Sequence, residues 1–167
     1  MSTLRLAGVV NESIVDGPGI RTAVFVQGCP HHCEGCHNSH TWDFNGGYDR
    51  EVDDIIAAVS KNPLLKGITL TGGEPFSQAE ALTELAEKAH ALGLDVFTYS
   101  GYTFEELTAG FEEHPEWKTL LEQSDYLVDG RFDITQKSLM LRFRGSKNQR
   151  LLDVKKSLAE NRAISFE

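Results

Sequence analysis

The order of elements in this sequence predicts a single α/β domain built on a mostly parallel sheet, and three observations carry that expectation. Short apolar, β-rich runs recur at residues 22–27, 67–71, 94–99 and 124–128, with a fifth at 150–154. Segments of helical length and period separate the first three, the alternation that produces parallel strands joined by crossover helices. The chain has 167 residues, room for one domain spanning 1–167.

Each element has a local reason. Residues 1–21 hold a short apolar start and then Val15-Asp16-Gly17-Pro18-Gly19-Ile20-Arg21, where two glycines around a proline mark a tight loop. Thr22-Ala23-Val24-Phe25-Val26-Gln27 has a continuous apolar middle and reads as a buried strand ended by Gly28. Val52, Ile55, Ile56 and Val59 recur at helical spacing, and Asn62-Pro63 stops that helix. Gly67-Ile68-Thr69-Leu70-Thr71 is a second strand, closed by Gly72-Gly73-Glu74-Pro75. Residues 78–92 are rich in Ala, Leu and Glu without an internal breaker, a strong helix that Gly93 caps. After the strand at 94–99, Thr103 and Glu106 have the spacing of a capping box. A further helix is expected at 116–123, and the charged tail from Lys155 has the composition of a short one.

Charge and composition narrow the function. Acidic residues number 25 against 16 basic ones, a formal charge of −9. That argues against a general phosphate-backbone binder, which carries a basic face, so no nucleic-acid partner is expected. No run of 18 apolar residues is present, so no membrane span is expected. The first residues do not read as a signal peptide, and the expected location is cytoplasmic.

The cysteines are the sharpest signal. Cys29, Cys33 and Cys36 are the only three, all within eight residues at C-x3-C-x2-C spacing, on a loop leaving the first buried strand. An odd, crowded set is a poor disulfide framework and a good set of soft metal ligands in a reducing compartment. Zinc is one occupant, because His31, His32, His37 and His40 lie nearby to complete a Cys3His site. An iron–sulfur cluster is the other. A cluster of four irons wants four ligands, and three cysteines leave one iron open. Taken one at a time, the histidines read as solvated loop residues.

The C-x3-C-x2-C loop, together with Gly72-Gly73-Glu74-Pro75 about 40 residues later, resembles the signature of the radical S-adenosylmethionine (SAM) superfamily. Val15-Asp16-Gly17-Pro18-Gly19-Ile20-Arg21, Cys36-His37-Asn38 and Thr41-Trp42 resemble activases of glycyl radical enzymes. Leu127-Val128-Asp129-Gly130-Arg131-Phe132 and Phe143-Arg144-Gly145-Ser146-Lys147-Asn148-Gln149-Arg150 resemble the branch that activates anaerobic (class III) ribonucleotide reductase. The resemblance runs over roughly residues 8–155.

It implies an incomplete, partial β/α barrel, because 167 residues are too few for eight units, which take about 250. It implies that Cys29, Cys33 and Cys36 hold one [4Fe-4S] cluster whose open iron is chelated by SAM, with backbone around Gly72 and Gly73 on the methionine amino group. One electron then cleaves SAM to methionine and a 5′-deoxyadenosyl radical, which takes a hydrogen atom from a glycine of the large reductase subunit. A low-potential donor such as flavodoxin or ferredoxin is the implied electron source. Gly35, His37, Gly72, Gly73, Glu74 and Asn148 are the expected cofactor-binding residues. Among them, His37 is the candidate to stack near the adenine, since Gly35 stands where the superfamily often has an aromatic residue. Arg131 also departs from the branch, which often has a small residue there, and it reads as a solvated charge. The alternatives are an activase for another glycyl radical enzyme such as pyruvate formate-lyase, or a non-catalytic iron–sulfur or zinc protein.

Overall fold

The structure is a computed structural model and describes residues 2–166, so the first and last residues of the expected domain lie outside it. One seven-stranded sheet organises the chain. Its strands are β1 (Thr3–Ser13), β2 (Arg21–Val26), β3 (Tyr48–Glu51), β4 (Gly67–Gly72), β5 (Asp95–Tyr99), β6 (Tyr126–Asp129) and β7 (Arg150–Asp153). The helices are α1 (Val52–Ser60), α2 (Ala79–Ala91), α3 (Phe104–Ala109), α4 (Pro115–Gln123) and α5 (Val154–Glu160). The capping box at Thr103 and Glu106 starts α3 as the spacing predicts.

The strand order is β3-β1-β2-β4-β5-β6-β7. β2, β4, β5 and β6 run parallel, joined by β–α–β crossovers. The outer strands β1, β3 and β7 are antiparallel to their neighbours. The parallel expectation therefore describes the centre of the sheet, and its flanks are mixed. The two end strands do not pair with each other, so the sheet is an open, incomplete barrel.

Strand alternation sorts the two faces. Val24, Val26, Ile68, Leu70, Val96 and Leu127 pack with α1, α2 and α4 in the main core. The intervening residues Arg21, Thr69, Phe97 and Tyr99 point to the opposite, helix-free face. There the fully buried Arg21 donates to Thr69 Oγ1 (2.8 Å), to the carbonyls of Pro18 (3.0 Å) and Ile68 (2.7 Å), and to Asp95 Oδ1 (2.5 Å). The Asp-Gly-Pro-Gly loop is thereby pinned across the concave face by a satisfied cation.

The parallel register decides where the chemistry sits. Val26 lies opposite Gly72, and pairing continues beyond both strands: Gly73 N–H donates to Val26 O and Glu74 N–H to Gly28 O, each at 2.8 Å. The cysteine loop and the double-glycine loop leave the same rim side by side, as expected for carboxyl ends of parallel strands.

Candidate active site

A cavity of about 440 Å³ opens at that rim, within the range of small-molecule sites. Cys29, Cys33 and Cys36 line it together with Gly72 and Gly73, and Thr71, Tyr99, Ser100, Gly101 and Gly130 complete the lining from the strand ends. All three thiols are free. Burial pushes the Cys29 and Cys33 thiols above the ordinary thiol range, against the lowering effect of nearby backbone N–H groups. A metal that binds there displaces protons and relieves that cost. Among the described residues no group of three His, Cys, Asp or Glu side chains converges tightly enough for a single metal ion. The donor set of three soft sulfurs facing one cavity fits a larger cluster with one open position.

Glu74 does not line this cavity. It is fully buried beneath the rim and binds the loops together. Its Oε1 meets His31 Nε2 at 2.7 Å and accepts from Gly101 N–H at 2.8 Å. Its Oε2 accepts from Phe76 N–H at 3.0 Å and from Ser100 Oγ at 2.9 Å. One carboxyl group thus joins the cysteine loop, the glycine loop and the end of β5. Glu74, expected among the cofactor-binding residues, lies outside the cavity lining and is buried behind it. His31, expected as a solvated loop residue, has a side chain only 5% exposed and sits edge-on to Tyr102 at 4.6 Å. His32 stacks flat on Trp42 at 4.7 Å. These ring contacts stiffen the loop that carries the thiols.

The glycine pair has a second reason to be glycine. A Cβ on Gly73 would stand 2.2 Å from Gly28 O, and one on Gly72, whose φ is +95°, 2.5 Å from Val26 N. The tight contact is with the strand that feeds the cysteines, not with open cavity. Gly73→Val is therefore expected to displace Gly28–Cys29 and lower iron content together with SAM binding. Metal analysis beside a SAM-binding assay on the purified variant checks this, and a fully iron-loaded variant with impaired SAM binding alone would contradict it. With Gly73 N–H and Glu74 N–H already donated and Pro75 lacking one, the backbone groups left on this loop are carbonyl oxygens. These are acceptors, the polarity an ammonium group needs.

Other expected residues divide. His37 lines the cavity, its ring 5.8 Å from that of Phe132, which lines it too. Gly35 does not: a Cβ there would meet Ile134 Cδ1 at 2.5 Å, so it serves the close packing of two loops. Asn148 is exposed and outside the lining, and its Nδ2 donates to Arg131 O at 2.8 Å, so the turn uses it. Its neighbour Gln149 does line the cavity and locks the rim, donating to Gly130 O (3.1 Å) and accepting from the N–H groups of Gly145 (2.9 Å) and Ser146 (3.2 Å). Arg131 lines the cavity and pairs with Glu106 at 3.3 Å, both side chains remaining nearly half exposed. Sequence reasoning gave no site role to Lys137, or to Arg144 within its motif, yet both cations are in the lining. Arg144 Nε and Trp42 Nε1, on two lining residues, are buried donors without a partner among the described residues.

Residues 15–152 match the family model described as a 4Fe-4S single cluster domain. The anaerobic ribonucleoside-triphosphate reductase-activating protein of Vibrio cholerae is 38% identical over 144 residues, covering 81% of this chain and 89% of its own. The proteins of the same description from phage T4 and Escherichia coli K12 are each 34% identical, covering 82% and 81% of this chain and 86% and 90% of theirs. Among solved structures, QueE from Escherichia coli aligns with 60% of this chain and 53% of its own at 18% identity and a TM-score of 0.48. Three thiols, a glycine loop held against them and near-full-length relatives converge on one assignment: the chain belongs to the 4Fe-4S single cluster domain family and, within it, to the anaerobic ribonucleoside-triphosphate reductase-activating proteins.

Proposed function

We propose that the chain is a glycyl-radical activase of the radical SAM type, acting on the large subunit of anaerobic ribonucleoside-triphosphate reductase. The observation that carries this reading is that all three cysteines and the double-glycine loop, adjacent at the rim, line one cavity. Cys29, Cys33 and Cys36 would hold one [4Fe-4S] cluster. Bound there, it supplies the single electron that cleaves the sulfonium C–S bond of SAM.

The chain's own residues do the rest. Carbonyl oxygens of the glycine loop receive the SAM amino group, and the cations Arg144 and Lys137 face its carboxylate. His37 and Phe132 offer ring faces to the adenine. The helix-free face leaves one flank open, through which a loop of a large protein can bring a glycine Cα to within about 3–4 Å of the reacting carbon. Among the described residues no helix is long and apolar enough to cross a membrane. A low-potential carrier such as flavodoxin or ferredoxin, in the cytoplasm, would deliver the electron.

The test mixes the reconstituted protein with the large subunit, SAM and a low-potential reductant without oxygen. A doublet electron paramagnetic resonance signal is expected on the large subunit, and deuterium placed on the target glycine should appear in 5′-deoxyadenosine. A competent large subunit that stays silent while pyruvate formate-lyase gains the signal would move the chain to another activase branch. Stoichiometric zinc with no capacity for iron would remove the enzyme reading altogether.

A further inference from the structure

The chain is acidic overall, yet residues 131–150 carry six Lys or Arg against one Asp. Of the six, Arg131 and Arg150 are paired with carboxylates. Among the described residues Lys137, Arg142, Arg144 and Lys147 have none within 4 Å. The segment is a hairpin-like strap. Lys137 bridges Ser146 at its base, Ser138 N–H donates to Gly145 O at 3.2 Å, and Lys147 N–H to Gln136 O at 3.0 Å. Phe143 seats one arm on the concave face. Its ring packs edge-on against Phe97 at 5.7 Å, and its carbonyl accepts from Tyr99 OH at 2.7 Å. That contact holds Phe143 at φ +62°, an uncommon backbone state for a bulky residue.

The strap is thus anchored, but its tip is bare. Leu139 is 88% exposed and Met140 92%. Across from them Ile14 and Val15 are 76% and 71% exposed. A second groove of about 440 Å³ runs between the two segments and shares Val15, Leu141 and Phe143 with the cavity. Exposed apolar side chains on a held loop that carries cations without carboxylate partners and is continuous with an active-site mouth have the make-up of a recognition surface.

We infer that the strap at residues 137–144, with Ile14 and Val15, is the docking surface for the partner protein, taking an acidic segment with apolar side chains and guiding the adjoining glycine loop into the cavity. The inference rests on the activase reading and adds to it the place and chemistry of recognition. Charge favours a protein occupant: Arg142 and Lys147, the strap cations outside the cavity lining, attract carboxylates, whereas the apolar tip offers nothing to a phosphate backbone.

Met140 and Arg142 lie outside the lining of the cysteine cavity, so they separate docking from SAM chemistry. In the reconstituted holoprotein, Met140→Asp and Arg142→Glu should each raise the Kd for the large reductase subunit at least about ten-fold. Radical yield at limiting partner should fall with it, and partner-free SAM cleavage driven by a chemical reductant should stay at the wild-type rate. Arg142→Lys should restore binding, and added salt should weaken the wild type more than Arg142→Glu. Affinities within about two-fold of wild type for both charge-changing variants would overturn the inference. So would a change confined to self-association in sedimentation, which would give the patch to a second copy of this chain. If the wild type ignores the reductase but binds another glycyl radical enzyme, and the same variants weaken that complex, the docking surface stands and the choice of partner fails.

Discussion

Cys33→Ala should abolish SAM cleavage while leaving the protein folded. A four-iron cluster needs four ligands, and the chain offers three cysteines in total. Removing one leaves two thiols, too few to hold the cluster. Cys33 is the informative choice because it is half-buried and lines the cavity. Its loss costs the fold little compared with a core truncation. Iron content should fall to about a tenth of wild type or less, with 5′-deoxyadenosine undetectable. Far-ultraviolet circular dichroism should match the wild type. Full iron retention with undiminished cleavage would show that Cys33 is not a ligand.

How much of this was legible in the sequence depends on the range of the interaction involved. β2 and β4 could be read because each is an apolar run closed by glycine, and the loops that follow carry their chemistry in consecutive residues. β3 could not. Tyr48-Asp49-Arg50-Glu51 has no apolar period, and it is a strand only because it pairs with Thr3–Leu6 on β1. β1 itself is interrupted by register shifts at Leu6/Gly8 and Val10/Ser13, which blur its alternation. β7 reads as a strand, but its antiparallel direction follows from the strap that reverses the chain before it.

The site divides in the same way. The thiols and the glycine pair announce themselves by spacing. Asn148 and Gln149 are neighbours of similar chemistry, and only the fold reveals that the second faces the cavity while the first serves the turn. His31 looks like one of several loop histidines, because the partner that buries it is 43 residues away. The strap's cations are visible in the composition, but a local positive run usually reads as a solvated face. What makes it more is its position at the cavity mouth.

Glu74→Ala should cost the fold about 3–5 kcal/mol, the scale for removing one partner from a buried polar pair. The carboxyl is fully buried and takes hydrogen bonds from Ser100 Oγ and from the N–H groups of Gly101 and Phe76, besides its contact with His31. Truncation leaves two backbone donors, the Ser100 hydroxyl and an imidazole without this partner where the carboxyl was fully buried, and each such group carries its own desolvation penalty. Glu74→Gln tests the reason for a carboxyl. Both oxygens of Glu74 accept, and an amide offers one acceptor and turns a donor toward a neighbour that is itself a donor. That variant should fall between, at about 1–3 kcal/mol. Denaturant unfolding of the metal-free proteins measures both, and the ordering Ala worse than Gln worse than wild type is the expected result. The same variants should bind iron less well, because His31 is the residue through which Glu74 holds the segment between Cys29 and Cys33 in place. A Glu74→Ala protein within about 0.5 kcal/mol of wild type would mean that the three loops are held at the rim by something other than this carboxyl.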